Sequence, residues 1–169
     1  KLSLEDYSGA LEDITKAIEL DAEDYIAYLL RGDAKLSLED YSGALDDITK
    51  AIELDPEDTM VYYQRGEARY FLEDYSSAIE DFTKIIELAP EYTKAYFYRG
   101  LSKLSLMDYS GALEDITKAI ELDPEKTMVY YPRGEAKYLL EDYTGALEDF
   151  TKIIELAPEY TMAYSYKIG

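Results

Sequence analysis

An Asp-Tyr pair recurs at Asp6-Tyr7, Asp40-Tyr41, Asp74-Tyr75, Asp108-Tyr109 and Asp142-Tyr143, each 34 residues from the last. A fixed period of that length means a stack of supersecondary units, each too small to bury its own apolar face, so that neighbours complete the core. Other residues keep the same interval. Arg-Gly stands at Arg31-Gly32, Arg65-Gly66, Arg99-Gly100 and Arg133-Gly134, and an alanine follows each repeated tyrosine at Ala10, Ala44, Ala78, Ala112 and Ala146. Proline closes most units at Pro56, Pro90, Pro124 and Pro158, with Ala22 in the equivalent place of the first.

Within one period the apolar spacing is helical. From Thr59 to Leu72 the inward residues fall at Tyr62, Gly66, Ala68 and Tyr70, and a second helix from about Ser76 to Leu88 carries Ala78, Ile79, Phe82, Ile85 and Ile86 on one stripe. Gly66 and Ala78 are small because helices approach closely only where side chains are short; a mid-helix glycine otherwise costs about 1 kcal/mol relative to alanine. Ser42, Ser110 and Thr144 are expected to cap the second helices. Pro132, about a turn into a first helix, is expected to remove one backbone bond without breaking that helix.

The pattern resembles the tetratricopeptide repeat, a helix-turn-helix unit with an aromatic at its fourth position, Gly at the eighth, Ala at the twentieth, an aromatic or bulky residue at the twenty-fourth and Pro at the thirty-second. Tyr62, Gly66, Ala78, Phe82 and Pro90 fill those places in one repeat. The resemblance implies an all-α fold, a right-handed superhelical solenoid of antiparallel helix pairs. Its register makes residues 1–169 a single array: a partial repeat at 1–24, full repeats at 25–58, 59–92, 93–126 and 127–160, and a partial repeat at 161–169.

Charge and composition exclude several functions. The formal net charge is -20, with 17 basic against 37 acidic residues, whereas a duplex binder needs clustered Lys and Arg; no nucleic-acid partner is expected. Acids four residues before lysines, as in Glu12/Lys16, Asp46/Lys50, Glu80/Lys84, Glu114/Lys118 and Glu148/Lys152, are expected to form exposed pairs of roughly 0.3–0.5 kcal/mol each. No apolar run reaches the 18 or so residues of a membrane span, so no membrane partner is expected. The chain lacks His and Cys, which removes the usual metal ligands and nucleophile pairs; no enzyme activity, cofactor or metal is expected. With no targeting segment, a cytoplasmic location is expected, and a chain beginning inside a helix is expected to lack its true N-terminus.

Two repeat positions that are usually apolar in the family are charged here. Arg31, Arg65, Arg99 and Arg133 occupy one, and Asp13, Asp47, Asp81, Asp115 and Asp149 the other. One reading pairs each arginine with an aspartate of its own or an adjacent repeat, because a guanidinium between helices is costly unless matched. The other lets the Arg stems cover apolar surface with their heads in water.

Members of this family bind proteins, as an extended peptide or a helix in a concave groove lined by the first helices. Carried over, the groove residues are Leu29, Asp33, Met60, Tyr63, Glu67, Tyr70, Lys94, Phe97, Leu101, Met128, Tyr131, Glu135 and Tyr138, with Ile26, Leu36, Ser37, Phe71, Leu104, Ser105 and Leu139 at neighbouring places. An apolar or aromatic peptide bearing Lys or Arg suits such a face. The branch of the family that clamps acidic C-terminal chaperone tails uses Lys, Asn and Arg, where this chain has Leu29, Tyr63, Phe97 and Tyr131, then Asp33, Glu67, Leu101 and Glu135. An acidic tail is therefore not the expected partner. The alternative for the tyrosines is that they pack across repeats and bind nothing.

Residues 59–92 match 127–160 at 28 of 34 positions and 25–58 match 93–126 at 25, so the larger unit is a 68-residue pair of repeats. Such regularity implies recent amplification of a gene segment or deliberate design. Apolar residues near the ends, Leu2, Leu4, Ile14 and Ile18, then Ile153, Ile154, Ala163 and Tyr164, are expected to face a neighbour. A self-associating spacer stacked head to tail is thus the alternative to a peptide-binding scaffold, as is the targeting segment of a larger enzyme.

Overall fold

A computed structural model describes residues 4–157, with side chains from Ser8 onward. Nine α-helices and one 3-10 turn, with no strand, make up the described residues. The chain divides into two compact units, at Ala89 and Pro90. The first holds α1 (Leu4–Leu20), α2 (Tyr25–Ser37), α3 (Tyr41–Leu54), α4 (Thr59–Phe71) and α5 (Tyr75–Leu88). The second holds α6 (Thr93–Ser105), α7 (Tyr109–Leu122), α8 (Tyr130–Leu139) and α9 (Tyr143–Leu156). Within the units α2, α4, α6 and α8 each pack on the second helix of their own repeat; α2 also packs on α1, α4 on α2 and α3, and α8 on α6 and α7.

The turn inside each repeat explains the Asp-Tyr pair. Asp40, Asp74, Asp108 and Asp142 cap α3, α5, α7 and α9, each side chain accepting from the backbone N–H three residues on, at 3.0–3.3 Å. The caps are therefore the aspartates rather than the expected Ser42, Ser110 and Thr144, which lie inside the helices. The physical reason is that the same aspartates also finish the preceding helix. Asp40 N–H donates to Lys35 O at 2.9 Å and Glu39 N–H to Leu36 O at 2.9 Å, the paired bonds of a Schellman ending, and the other three repeats repeat them. One residue thus closes one helix and opens the next.

That ending requires a left-handed backbone just before the aspartate, yet Glu39, Glu73, Met107 and Glu141 hold it at φ of 62–64° without being glycine. A side chain there costs about 1–2 kcal/mol. Glu73→Gly or Glu141→Gly is therefore expected to raise stability by about 1 kcal/mol, read as a higher urea midpoint, whereas alanine at the same place should bring no gain.

Ala78, Phe82 and Ile85 are fully buried, as are Ile48 with Ala51 and Ile116 with Ala119, while Ile79 and Ile86 are half-buried. The glycine of each first helix packs on the large residue of its second helix: a Cβ on Gly66 would lie 2.9 Å from the Phe82 ring, and one on Gly100 2.6 Å from Ile116. Bulky and slim layers thus need the same notch. Val61 and Val129 are also fully buried, and Ser102, fully buried, donates to Tyr98 O at 2.8 Å.

Pro132 shortens its helix from the start. Residues Thr127–Val129 form a 3-10 turn and α8 runs for only 10 residues, against 13 for α4. Without an N–H, and with a ring that crowds the carbonyl four residues back, proline leaves the first turn to tighten. On the outer face the lysines meet acids three residues away, as in Lys50–Glu53 and Lys118–Glu121 at 3.2 Å, instead of the expected acids four before. Both spacings share a helix face, and an exposed lysine has no packing to choose between them.

Candidate peptide-binding faces and the buried ion clusters

Four buried carboxylates organise the repeats. Arg31 donates through Nε and Nη2 to both oxygens of Asp47, sixteen residues later in the same repeat. Arg65 to Asp81, Arg99 to Asp115 and Arg133 to Asp149 have the same form, with Nη2–O distances of 2.5–2.6 Å across the four. A second cation four residues after each arginine completes the cluster: Lys35, Arg69, Lys103 or Lys137 reaches the other carboxylate oxygen at 2.7–2.9 Å. Each arginine also lies 5.5–5.7 Å from the ring of Tyr28, Tyr62, Tyr96 or Tyr130, a cation–π contact.

Two cations on one buried anion is a structural arrangement. Asp81 is 1% exposed and its oxygens are occupied by two guanidinium groups, so it has no capacity left for acid–base work. The hydrogen bond to Asp47 raises the pKa of Arg31 further, against the opposing effect of burial, and keeps that guanidinium charged. Asp13 holds the same repeat position but its side chain is 83% exposed, with Lys16 at 3.4 Å. The second cation was legible in principle, since i and i+4 share a helix face, but sequence reasoning matched only one charge to each aspartate.

The expected groove residues separate into two sets by burial. In the first unit Asp33 and Met60 are exposed, Leu29, Glu67 and Tyr70 half-buried, and Tyr63 only 9% exposed. Tyr63 places its ring edge-on to Phe82 at 6.5 Å and its hydroxyl 3.4 Å from Glu67. In the second unit Lys94, Met128 and Tyr138 are exposed, Leu101, Tyr131 and Glu135 half-buried, and Phe97 belongs to the core with Ile116 and Phe150. Tyr63 and Phe97 therefore serve mainly as packing, and the accessible surface lies with the others. Ile18 and Ile153, expected to face a neighbour at the chain ends, are buried within their own units, while Ile14 and Ile154 are half-buried. Leu2, Ala163 and Tyr164, and the side chain of Leu4, lie outside the described residues.

One open cleft forms on this face of the first unit. Asp33, Leu36 and Ser37 of α2, Glu39 of the turn, Tyr41 of α3, and Glu67 and Phe71 of α4 line about 320 Å³. Tyr41 and Phe71 stack with ring centroids 5.1 Å apart. Glu39 and Tyr41 were not among the expected groove residues; they reach it because the tight turn folds the start of α3 against α2. No group of His, Cys, Asp or Glu among the described residues is arranged to hold a metal ion. None of the described helices is long and apolar enough to cross a membrane.

Tetratricopeptide repeat profiles match residues 1–59, 61–92 and 99–161, and the chain belongs to the tetratricopeptide repeat family. No curated protein sequence matches it. Its structure is similar to MamA from Desulfovibrio magneticus RS-1, with a TM-score of 0.87 and 25% identity over 91% of this chain and 87% of that one. A further MamA crystal structure aligns with a TM-score of 0.88 and 22% identity, covering 96% of this chain and 99% of that one. A tetratricopeptide repeat protein from Parabacteroides merdae gives 0.85 at 19% identity, covering 95% and 64%. The last two likenesses are of fold alone. The fold is an all-α helical repeat, and the family is one of protein-interaction scaffolds that bind proteins or peptides and are typically not enzymes.

Proposed function

We propose that this chain is a peptide-binding scaffold whose ligand is apolar or aromatic with a basic residue, held on the face formed by the first helices of each unit. The observation that carries this reading is the open cleft beside α2 and α4, lined by both aromatic rings and carboxylates. In the first unit Leu29, Asp33, Met60, Glu67 and Tyr70 offer contact, and in the second Lys94, Leu101, Met128, Tyr131, Glu135 and Tyr138. Tyrosine suits such a face, since it brings large area, a polar tip and few rotors to freeze. Asp33, Glu67 and Glu135 oppose an acidic tail.

Capped peptide arrays test the reading. Replacing Met60 and Tyr70, or Met128 and Tyr138, by alanine is expected to lower retention of the bound peptides roughly tenfold or more while helix content is unchanged. Undiminished capture by both double variants excludes this face. Tyr63 is a poor choice for such a test, because its burial makes its loss a change of core packing.

A further inference from the structure

The two halves of the chain differ at few places, and several of the differences meet at one cleft. Of the 68 residue pairs related by the longer period, 15 differ (9 between 25–58 and 93–126, 6 between 59–92 and 127–160). Asp33, Glu39 and Phe71, which line the cleft of the first unit, correspond to Leu101, Met107 and Leu139 in the second. A fourth difference concerns the residue that holds Asp33. Gln64, 5% exposed, donates through Nε2 to Asp33 Oδ1 at 3.3 Å, and its counterpart is Pro132. Gln64 Oε1 is the one buried side-chain polar atom without a hydrogen-bond partner among the described residues. A buried orphan acceptor is destabilising, so the benefit of Gln64 lies in its other end, which orients the carboxylate.

The lining therefore combines three carboxylates, no basic residue and a stacked Tyr41–Phe71 pair. A neutral amide orients Asp33 and leaves its charge uncancelled. A planar cation fits this chemistry: guanidinium donates to carboxylates along its edges and stacks on aromatic rings through its faces, and is more weakly hydrated than ammonium. We propose that the cleft receives an arginine side chain of the bound peptide, and that the first unit alone does so, which fixes where the peptide's cation must sit. This rests on the peptide-binding reading above and adds the identity and place of the anchor.

The test uses the whole chain and four capped peptide pools. Each mixes Leu, Phe, Tyr and Ser around one fixed residue, which is arginine, lysine, the neutral isostere citrulline, or glutamate. The arginine pool is expected to bind about tenfold tighter than the citrulline pool at low salt, with the gap closing as ionic strength rises. Asp33→Leu combined with Glu39→Met installs residues the second unit already carries, and should abolish the arginine preference, so that the arginine and citrulline pools bind alike. Asp33→Asn, which preserves the side-chain shape, should weaken the preference in the same direction. Equal binding of arginine and citrulline pools overturns the inference and leaves the scaffold reading standing, as does an arginine preference that survives the double substitution. Lysine bound as tightly as arginine overturns the arginine assignment. If no pool binds, the scaffold reading falls and the inference with it.

Discussion

Asp81→Ala is expected to cost about 3–5 kcal/mol of stability, measured by urea unfolding, because it leaves the charges of Arg65 and Arg69 between helices without their carboxylate. Arg69 retains the Ser77 carbonyl at 3.3 Å, but a single neutral acceptor does not replace an anion. Arg65→Leu in the same chain should recover part of the loss, since it removes one orphaned charge and restores an apolar contact. If it recovers none, the cluster is not an energetic unit and the arginine stem matters only for coverage. Asp13→Ala is the matched control. The residue type and repeat position are the same, but the side chain is exposed, and the change should stay within about 0.5 kcal/mol.

Phe82→Ala should have a comparable effect for an unrelated reason. Phe82 is fully buried against Gly66, and its truncation forfeits about 3–5 kcal/mol in transfer and cavity energy. The glycine supplies the sharper part of the test. Gly66→Ala alone puts a methyl 2.9 Å from the Phe82 ring and should cost about 1–3 kcal/mol in overpacking, which exceeds its gain of about 1 kcal/mol in helix propensity. In the Phe82→Ala background the ring has gone and Asp81 Cβ at 3.2 Å is the remaining close atom, so the same Gly66→Ala substitution should lose most of its cost. A substitution that is equally harmful in both backgrounds excludes the notch as the reason for glycine at this place.

What the sequence made legible was whatever the period repeats. Thr59–Phe71 and Tyr75–Leu88 lie within a residue of the helices expected from apolar spacing, and Gly66 with Phe82 marks the closest packing. Periodicity was weaker at choosing between adjacent residues of similar chemistry. Asp40 and Ser42 can both cap a helix, and what selects Asp40 is its second task in ending α2, a three-dimensional constraint. Periodicity was equally blind to depth. Tyr63 and Tyr131 hold one repeat position, yet Tyr63 is buried and Tyr131 only half-buried, because exposure depends on what the neighbouring helices bring. The cleft was legible in part: Asp33, Leu36, Ser37, Glu67 and Phe71 hold groove positions of the repeat, whereas Glu39 and Tyr41 join it through the turn.

The ion clusters bear finally on how such a chain can be copied. Each arginine finds its aspartate, and each aspartate its second cation, inside the same 34 residues, so a duplicated segment arrives electrically complete wherever it is inserted. The bond between Gln64 and Asp33 has the opposite character, since its two ends belong to successive repeats and must be inherited together. In the second half both ends differ at once, as Pro132 and Leu101. Self-contained contacts let the array lengthen by simple copying; contacts that straddle a boundary are where one copy acquires an individuality that the other lacks.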